Sequence, residues 1–270
     1  LDDIRTASEL IAPHIVRTPI LRLNSRKREN EIYLKLENLQ PIGVFKVRSM
    51  GNILLSTDSD SLKNGVYTAS SGNAGIGLAW MAEKLGLEAR VYAPESGPQG
   101  KLSTMREFGA HVEIMGDDDW WQIIQNSGHP DDAGFYVDAV RSPAALAGNA
   151  TMGLEIIEQL PDVDSIIVPF GGGGVACGIA SAIRALKPDT KMIVAEAETA
   201  APVTAALKRG EPVTVETRPS FISGAGAPSV LEEMWPLVKT MVDDTIVLPV
   251  AQVVAAVRLM FEQNHVVAEG

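Results

Sequence analysis

Four consecutive glycines, Gly171-Gly172-Gly173-Gly174, follow the apolar run Ser165 to Phe170 and precede a stretch of helical period, Val175 to Leu186. Glycines at a strand-to-helix turn let backbone N–H groups converge on an anion at the positive end of a helix. A tight turn alone rarely needs four of them, so the run reads as a phosphate loop. It lacks the GxGxxG spacing of a dinucleotide fingerprint, and no GK[ST] follows it. A single phosphate is the expected ligand. A second strand-to-helix turn, Ser70-Ser71-Gly72-Asn73-Ala74-Gly75, is rich in hydroxyls and small residues. It suits a carboxylate, and it equally suits a plain helix cap made by Ser70 or Ser71. Lys46, in Gly43-Val44-Phe45-Lys46-Val47-Arg48, is open in the same way. In an apolar setting a lysine becomes a Schiff-base nucleophile or a general base, whereas beside an arginine it is usually a solvated surface charge. Together, two anion loops suggest a phosphorylated cofactor acting on a carboxylic acid.

These residues need a scaffold, and the pattern supplies one. Apolar runs bounded by turn residues alternate with helical stretches, the signature of an α/β chain with a largely parallel sheet. Strands are expected at Ile32 to Leu36, Val66 to Ala69, Ala89 to Ala93, Val112 to Met115, Ser165 to Phe170, Met192 to Ala195 and Thr245 to Leu248. Leu78, Met81, Ala82 and Leu85 mark one face of a helix that stops at Gly86, and further helices are expected at Lys101 to Phe108, Met152 to Leu160, Val175 to Leu186 and Ala251 to Glu262. Asp117-Asp118-Asp119 reads as an acidic first helical turn rather than a metal site. Pro212 to Pro228 reads as irregular.

Composition excludes several classes. The chain has 270 residues, 46% of them hydrophobic and 21% charged, which rules out disordered and fibrous proteins. Its 23 Lys and Arg against 34 Asp and Glu give a net charge of −11, which argues against a nucleic-acid partner. Arg26-Lys27-Arg28 reads as a solvated turn. The single cysteine, Cys177, can form neither an internal disulfide nor a CxxC site, and points to a reducing compartment, the cytoplasm. No apolar run approaches a membrane span. Leu1 at one end and Val267-Ala268-Glu269-Gly270 at the other suggest residues missing from both.

Leu36-Glu37-Asn38-Leu39-Gln40-Pro41 followed by Gly43, Phe45, Lys46 and Arg48, then Ser70-Ser71-Gly72-Asn73, then Gly171 to Gly174, resembles in that order the fold type II pyridoxal-phosphate enzymes. It is most similar to the serine/threonine dehydratases and the related serine racemase, from about Ile4 onward. The resemblance implies a two-domain, tryptophan-synthase-β-like fold, with residues 1–51 and 146–270 forming a large cofactor domain and 52–145 a small domain that closes on the substrate. It implies pyridoxal 5'-phosphate held by Lys46 as a Schiff base, with Phe45 packing near the ring. By the same resemblance Asn73 meets the phenolic oxygen, Gly171, Gly172, Gly173 and Gly174 cradle the phosphate, and Glu269 lies near the cofactor. Ser70, Ser71, Gly72 and Asn73 would grip the substrate carboxylate.

The implied activity is an L-serine or L-threonine dehydratase, an ammonia-lyase in which Lys46 takes the Cα proton and the product hydrolyses to a 2-oxo acid and ammonia. Racemisation or β-elimination from another small amino acid is the alternative with the same cofactor; a non-catalytic amino-acid- or phosphate-binding protein is the alternative of another class. A homodimer is implied. Departures from the family are Val44 for Ser or Thr, Ser49-Met50 for Gly-Ala, and Ala74 for the His of many threonine dehydratases; Ala74 and Cys177 instead resemble the serine dehydratase variant. The Ser or Cys that relatives place at the pyridine nitrogen would lie beyond Glu269. Glu196 and Ala200 fall where racemase-type members bind a metal, but Pro202 replaces the second carboxylate, so no metal is expected.

Overall fold

A computed structural model describes residues 1–24, 31–222 and 224–270. The basic turn Arg26-Lys27-Arg28 lies outside the described residues. The first half of the chain forms α1 (Asp2–Ile11), β1 (Ile20–Arg22), β2 (Tyr33–Lys35), α2 (Lys46–Ser56), α3 (Ser59–Leu62), β3 (Val66–Ala69), α4 (Asn73–Leu85), β4 (Ala89–Pro94), α5 (Gln99–Glu107), β5 (His111–Met115), α6 (Asp117–Gln125) and β6 (Phe135–Tyr136). The second half forms α7 (Pro143–Gln159), β7 (Ser165–Pro169), α8 (Gly174–Leu186), β8 (Lys191–Ala197), α9 (Pro202–Arg209), α10 (Trp235–Met241), β9 (Asp244–Leu248) and α11 (Val250–Asn264).

The chain divides into two compact units, one of residues 1–16 and 40–149, the other of 17–39 and 150–270. The first holds a parallel sheet of order β5-β4-β3-β6. The second holds a parallel sheet of order β7-β8-β9 and the antiparallel pair β1-β2. Strand β2 lies within the expected Ile32 to Leu36, whereas its partner β1, α1 and the helix opening at Lys46 were not among the expected elements, and α7 begins nine residues before the expected Met152. The compact units also differ from a division at 51/52 and 145/146. The reason is packing: Val47, Met50, Ile53 and Leu54 of α2 share one buried cluster with Leu78, Met81 and Ala82 of α4. Each such fully buried side chain contributes about 1.5–3 kcal/mol, so α2 belongs with the helix it covers.

Glycine spacing sets how closely the helices meet. A Cβ on Gly77 would lie 3.1–3.2 Å from Cβ, C and O of Lys46, and one on Gly148 would lie 2.5 Å from the carbonyl oxygen of Arg48. The first turn of α2 is therefore clasped backbone-to-backbone by α4 and the start of α7. Helix α4 stops as its sequence dictates: Gly86 takes φ +68° and Leu87 N–H donates to the Ala82 carbonyl at 2.9 Å.

Candidate active site

In the first unit the carboxyl edge of the parallel sheet gathers the chemistry, as expected for open α/β sheets. Strand β3 runs into the Ser70–Asn73 loop at the amino end of α4. Ser70 is almost fully buried, and its Oγ accepts from Gly72 N–H at 3.1 Å and Gly75 N–H at 3.0 Å. Its hydroxyl is committed to shaping the loop, the capping role that the sequence left open. Ser71 makes no hydrogen bond among the described residues. The Asn73 side-chain oxygen is buried at the helix start.

Lys46 opens α2, held against α4 at Gly77, one turn beyond Asn73. Its Nζ lies 5.1 Å from the centre of the Phe45 ring. Burial lowers the Lys46 amine from 10.5 to about 8, with Asp138 pulling in the opposite direction. Asp138 follows β6, whose end is tied to β3 by Val137 N–H on the Tyr67 carbonyl (2.7 Å) and by Thr68 Oγ1 on the Val137 carbonyl (2.9 Å). Its carboxylate accepts from the backbone of Val140 and Arg141 and from Arg141 Nε at 2.6 Å. Sequence reasoning missed Asp138, because an acidic residue in a loop carries no local signal of what it faces.

In the second unit Gly171 to Gly174 join β7 to α8, with Gly173 at φ +96° as the residue before the helix. A Cβ on Gly171 would lie 2.9 Å from the Gly224 carbonyl oxygen, and one on Gly173 would lie 3.1 Å from the Phe170 ring. Glu269 Oε1 stands 3.9 Å from a Cβ built on Gly224, so the carboxylate and the glycine run meet around that residue. Gly224 sits in the segment that reads as irregular, and only its contacts reveal it. Cys177, in the first turn of α8, is buried, and its thiol is pushed up to about 12, so it is a neutral packing group. Glu196 accepts from Val203 N–H at 2.8 Å, Thr204 N–H at 2.9 Å and the Thr204 hydroxyl at 2.6 Å, and so caps α9. Among the described residues no group of three His, Cys, Asp or Glu side chains could hold a metal ion.

The family described as "Pyridoxal-phosphate dependent enzyme" matches residues 11–270. The chain belongs to the pyridoxal-phosphate dependent enzymes. Within this family it is 34% identical to the L-threonine ammonia-lyase of Thermotoga maritima, over all of this chain and 68% of that protein. It is 32% identical to the catabolic L-threonine dehydratase of Escherichia coli K12, over all of this chain and 83% of that protein. Maize serine racemase superposes with a TM-score of 0.90 at 28% identity, over 99% of this chain and 82% of that one. The two-domain α/β fold of these pyridoxal-phosphate enzymes is therefore that of this chain.

The residues present fit the cofactor. A desolvated lysine amine near neutrality suits an aldehyde, and a glycine run in which a Cβ at Gly171 or Gly173 would crowd its neighbours, at the start of a 13-residue helix, suits a phosphate. The lysine also carries a cost in the pyridoxal-phosphate-free protein. Below pH 8 the native state must bury a charge; between 8 and 10.5 the unfolded state binds more protons, so stability rises with pH across that window. Lys46→Met should therefore stabilise the cofactor-free protein by up to about 3 kcal/mol at pH 7 and by little at pH 10.5. Urea unfolding at the two pH values measures this, and an equal gain at both would contradict the burial of the amine.

Proposed function

We propose that this enzyme is an L-serine or L-threonine dehydratase that converts a β-hydroxy amino acid to a 2-oxo acid and ammonia. The strongest support is the desolvated Lys46 amine, beside the start of α4, in a chain that aligns over all its own length with 68% of a threonine ammonia-lyase. When bound, pyridoxal phosphate supplies the electron sink that stabilises negative charge at the substrate Cα. In this reading Lys46 holds the cofactor and then, as a neutral amine, takes the Cα proton; the value near 8 keeps an appreciable neutral fraction at neutral pH. Phe45 packs near the ring and Asn73 orients the phenolic oxygen. Gly171, Gly172, Gly173 and Gly174 hold the phosphate, with Glu269 nearby. Ser71, Gly72 and Asn73 bind the substrate carboxylate on a loop that Ser70 keeps in shape. Cytoplasmic location, supported by a single cysteine buried in α8, and a homodimer complete the proposal.

A screen of small amino acids for 2-oxo-acid release tests it, with L-threonine and L-serine expected to be the productive substrates. The likeness to maize serine racemase favours racemisation as a second reading. Chiral chromatography of the remaining substrate separates the two: L-serine returned as a mixture of enantiomers, with no 2-oxo acid, would replace the dehydratase reading with the racemase one.

A further inference from the structure

Gln40 belongs to the motif that precedes Lys46 in the sequence, and the proposed reaction assigns it nothing. Its side chain is turned inward, with only 3% of the residue exposed. The carboxamide spans the backbone of Val16, 24 residues earlier: Val16 N–H donates to Oε1 at 3.0 Å, and Nε2 donates to the Val16 carbonyl at 2.9 Å. One side chain thus serves both polar groups of a residue outside any strand, as a partner strand would. The same carbonyl accepts from Nη2 of Arg48 at 3.4 Å. Arg48 is fully buried and lies in the first turn of α2, just after Lys46. The backbone between Gln40 and the helix is tied as well. Gly43, at φ +71°, donates its N–H to the Gln40 carbonyl at 2.7 Å, Arg48 N–H donates to the Phe45 carbonyl at 3.0 Å, and the Ser49 hydroxyl donates to the Lys46 carbonyl at 3.2 Å. Gln40 therefore reaches Lys46 by two routes, along the turn that delivers the chain to α2 and through Val16 to the Arg48 side chain. Packing of Val47, Met50, Ile53 and Leu54 in the core holds α2 down, but apolar contact has no direction, whereas these hydrogen bonds fix how the helix is turned.

We propose that Gln40 is a positioning residue for Lys46: its carboxamide pins Val16, the Val16 carbonyl in turn steadies the Arg48 guanidinium, and the first turn of α2 is thereby held so that the lysine amine points in one direction. The inference rests on the reading of Lys46 as the cofactor-holding base, and adds how that amine is aimed. Gln40 acts through Val16 and Arg48 and takes no part in the proton transfer itself.

Gln40→Met keeps the length of the side chain and removes both of its bonds to Val16. A misplacement of about 1 Å costs about 100-fold in rate, so kcat on the productive substrate should fall about 10- to 100-fold while KM changes less than about threefold. The second readout is spectroscopic. Borohydride still labels Lys46 in the loaded variant and the visible absorbance remains, but the visible circular dichroism, which reports how the bound group is oriented, drops. Leu54→Ala, two turns further along α2 and 2% exposed, is the control for stability alone. It should lower the urea midpoint at least as far as Gln40→Met, because it empties a core position, and leave the dichroism and kcat close to wild type. Gln40→Glu keeps the acceptor for Val16 N–H and should fall between, with kcat down about 3- to 10-fold, and it carries the test if Gln40→Met does not fold. Wild-type kcat and dichroism in the Gln40 variants, or a matching loss of both in Leu54→Ala, overturns the inference. A wild-type enzyme whose Lys46 is never labelled removes the premise and the inference together, so the two failures are told apart.

Discussion

Lys46→Ala should lower 2-oxo-acid release to below about one part in 10⁴ of the wild-type rate, because in the proposed reading one side chain both holds the cofactor and moves the Cα proton. Two readouts accompany the loss. The visible absorbance of the loaded enzyme disappears, and borohydride reduction followed by peptide mapping no longer labels the Phe45–Val47 segment. The variant keeps its fold, since the Lys46 Cβ and backbone, not its amine, make the close contact with Gly77. A folded Lys46→Ala protein that releases 2-oxo acid at the normal rate would sink the assignment; so would a wild-type chain whose Lys46 is never labelled, which would leave the fold as a binding module.

Gly173→Val is the second large effect, and it acts on the glycine loop proposed to hold the phosphate. Gly173 adopts φ +96°, where a β-branched residue is strained by roughly 1–2 kcal/mol. Its Cβ would also lie 3.1 Å from two atoms of the buried Phe170 ring and 3.4 Å from Met234 Cε, an overpacking that adds roughly 1–3 kcal/mol. Urea unfolding of the cofactor-free protein should therefore show a loss of about 2–5 kcal/mol, and titration with pyridoxal phosphate a still larger loss of affinity as the loop shifts. Gly100→Ala, in α5 with nothing within 4 Å of its Cβ position, is the control and should be neutral or slightly stabilising. Equal behaviour of the two variants would mean that the glycine run tolerates side chains and does not act as a cradle.

Much of this was legible from one sequence because each signal is local. Strand ends followed by Ser-Ser-Gly-Asn or by four glycines announce helix amino termini regardless of tertiary context, and both helices begin within two residues of the expected places. The apolar period through Leu78, Met81 and Leu85 ends at Gly86, as it must when a left-handed glycine closes the helix. Other features depend on what lies across from a residue. Lys46 beside Arg48 looked like a surface cation; Arg48 proves fully buried, and the environment of Lys46 is made by α4. The length of α7 was hidden because Ala144 to Ala150 has Leu146 as its one large apolar residue, and the close approach to α2 is made by Gly148. Asp138 and Gly224 matter through contacts distant in sequence, which a single chain does not display.

The clasp of α2 between Gly77 and Gly148 bears on how such a site diverges. Where large side chains set a helix in place, each accepted mutation nudges it, and the groups it carries drift along with the lineage. Here the first turn of α2 also rests on bare backbone, so its placement depends on the absence of side chains at two positions as well as on the buried apolar face it turns to α4. Val44, which precedes the helix and is only partly buried, can then depart from the residue its relatives carry while the backbone contact that seats Lys46 is kept. New substrates become reachable by changing neighbours alone, and the two glycines are where such exploration stops.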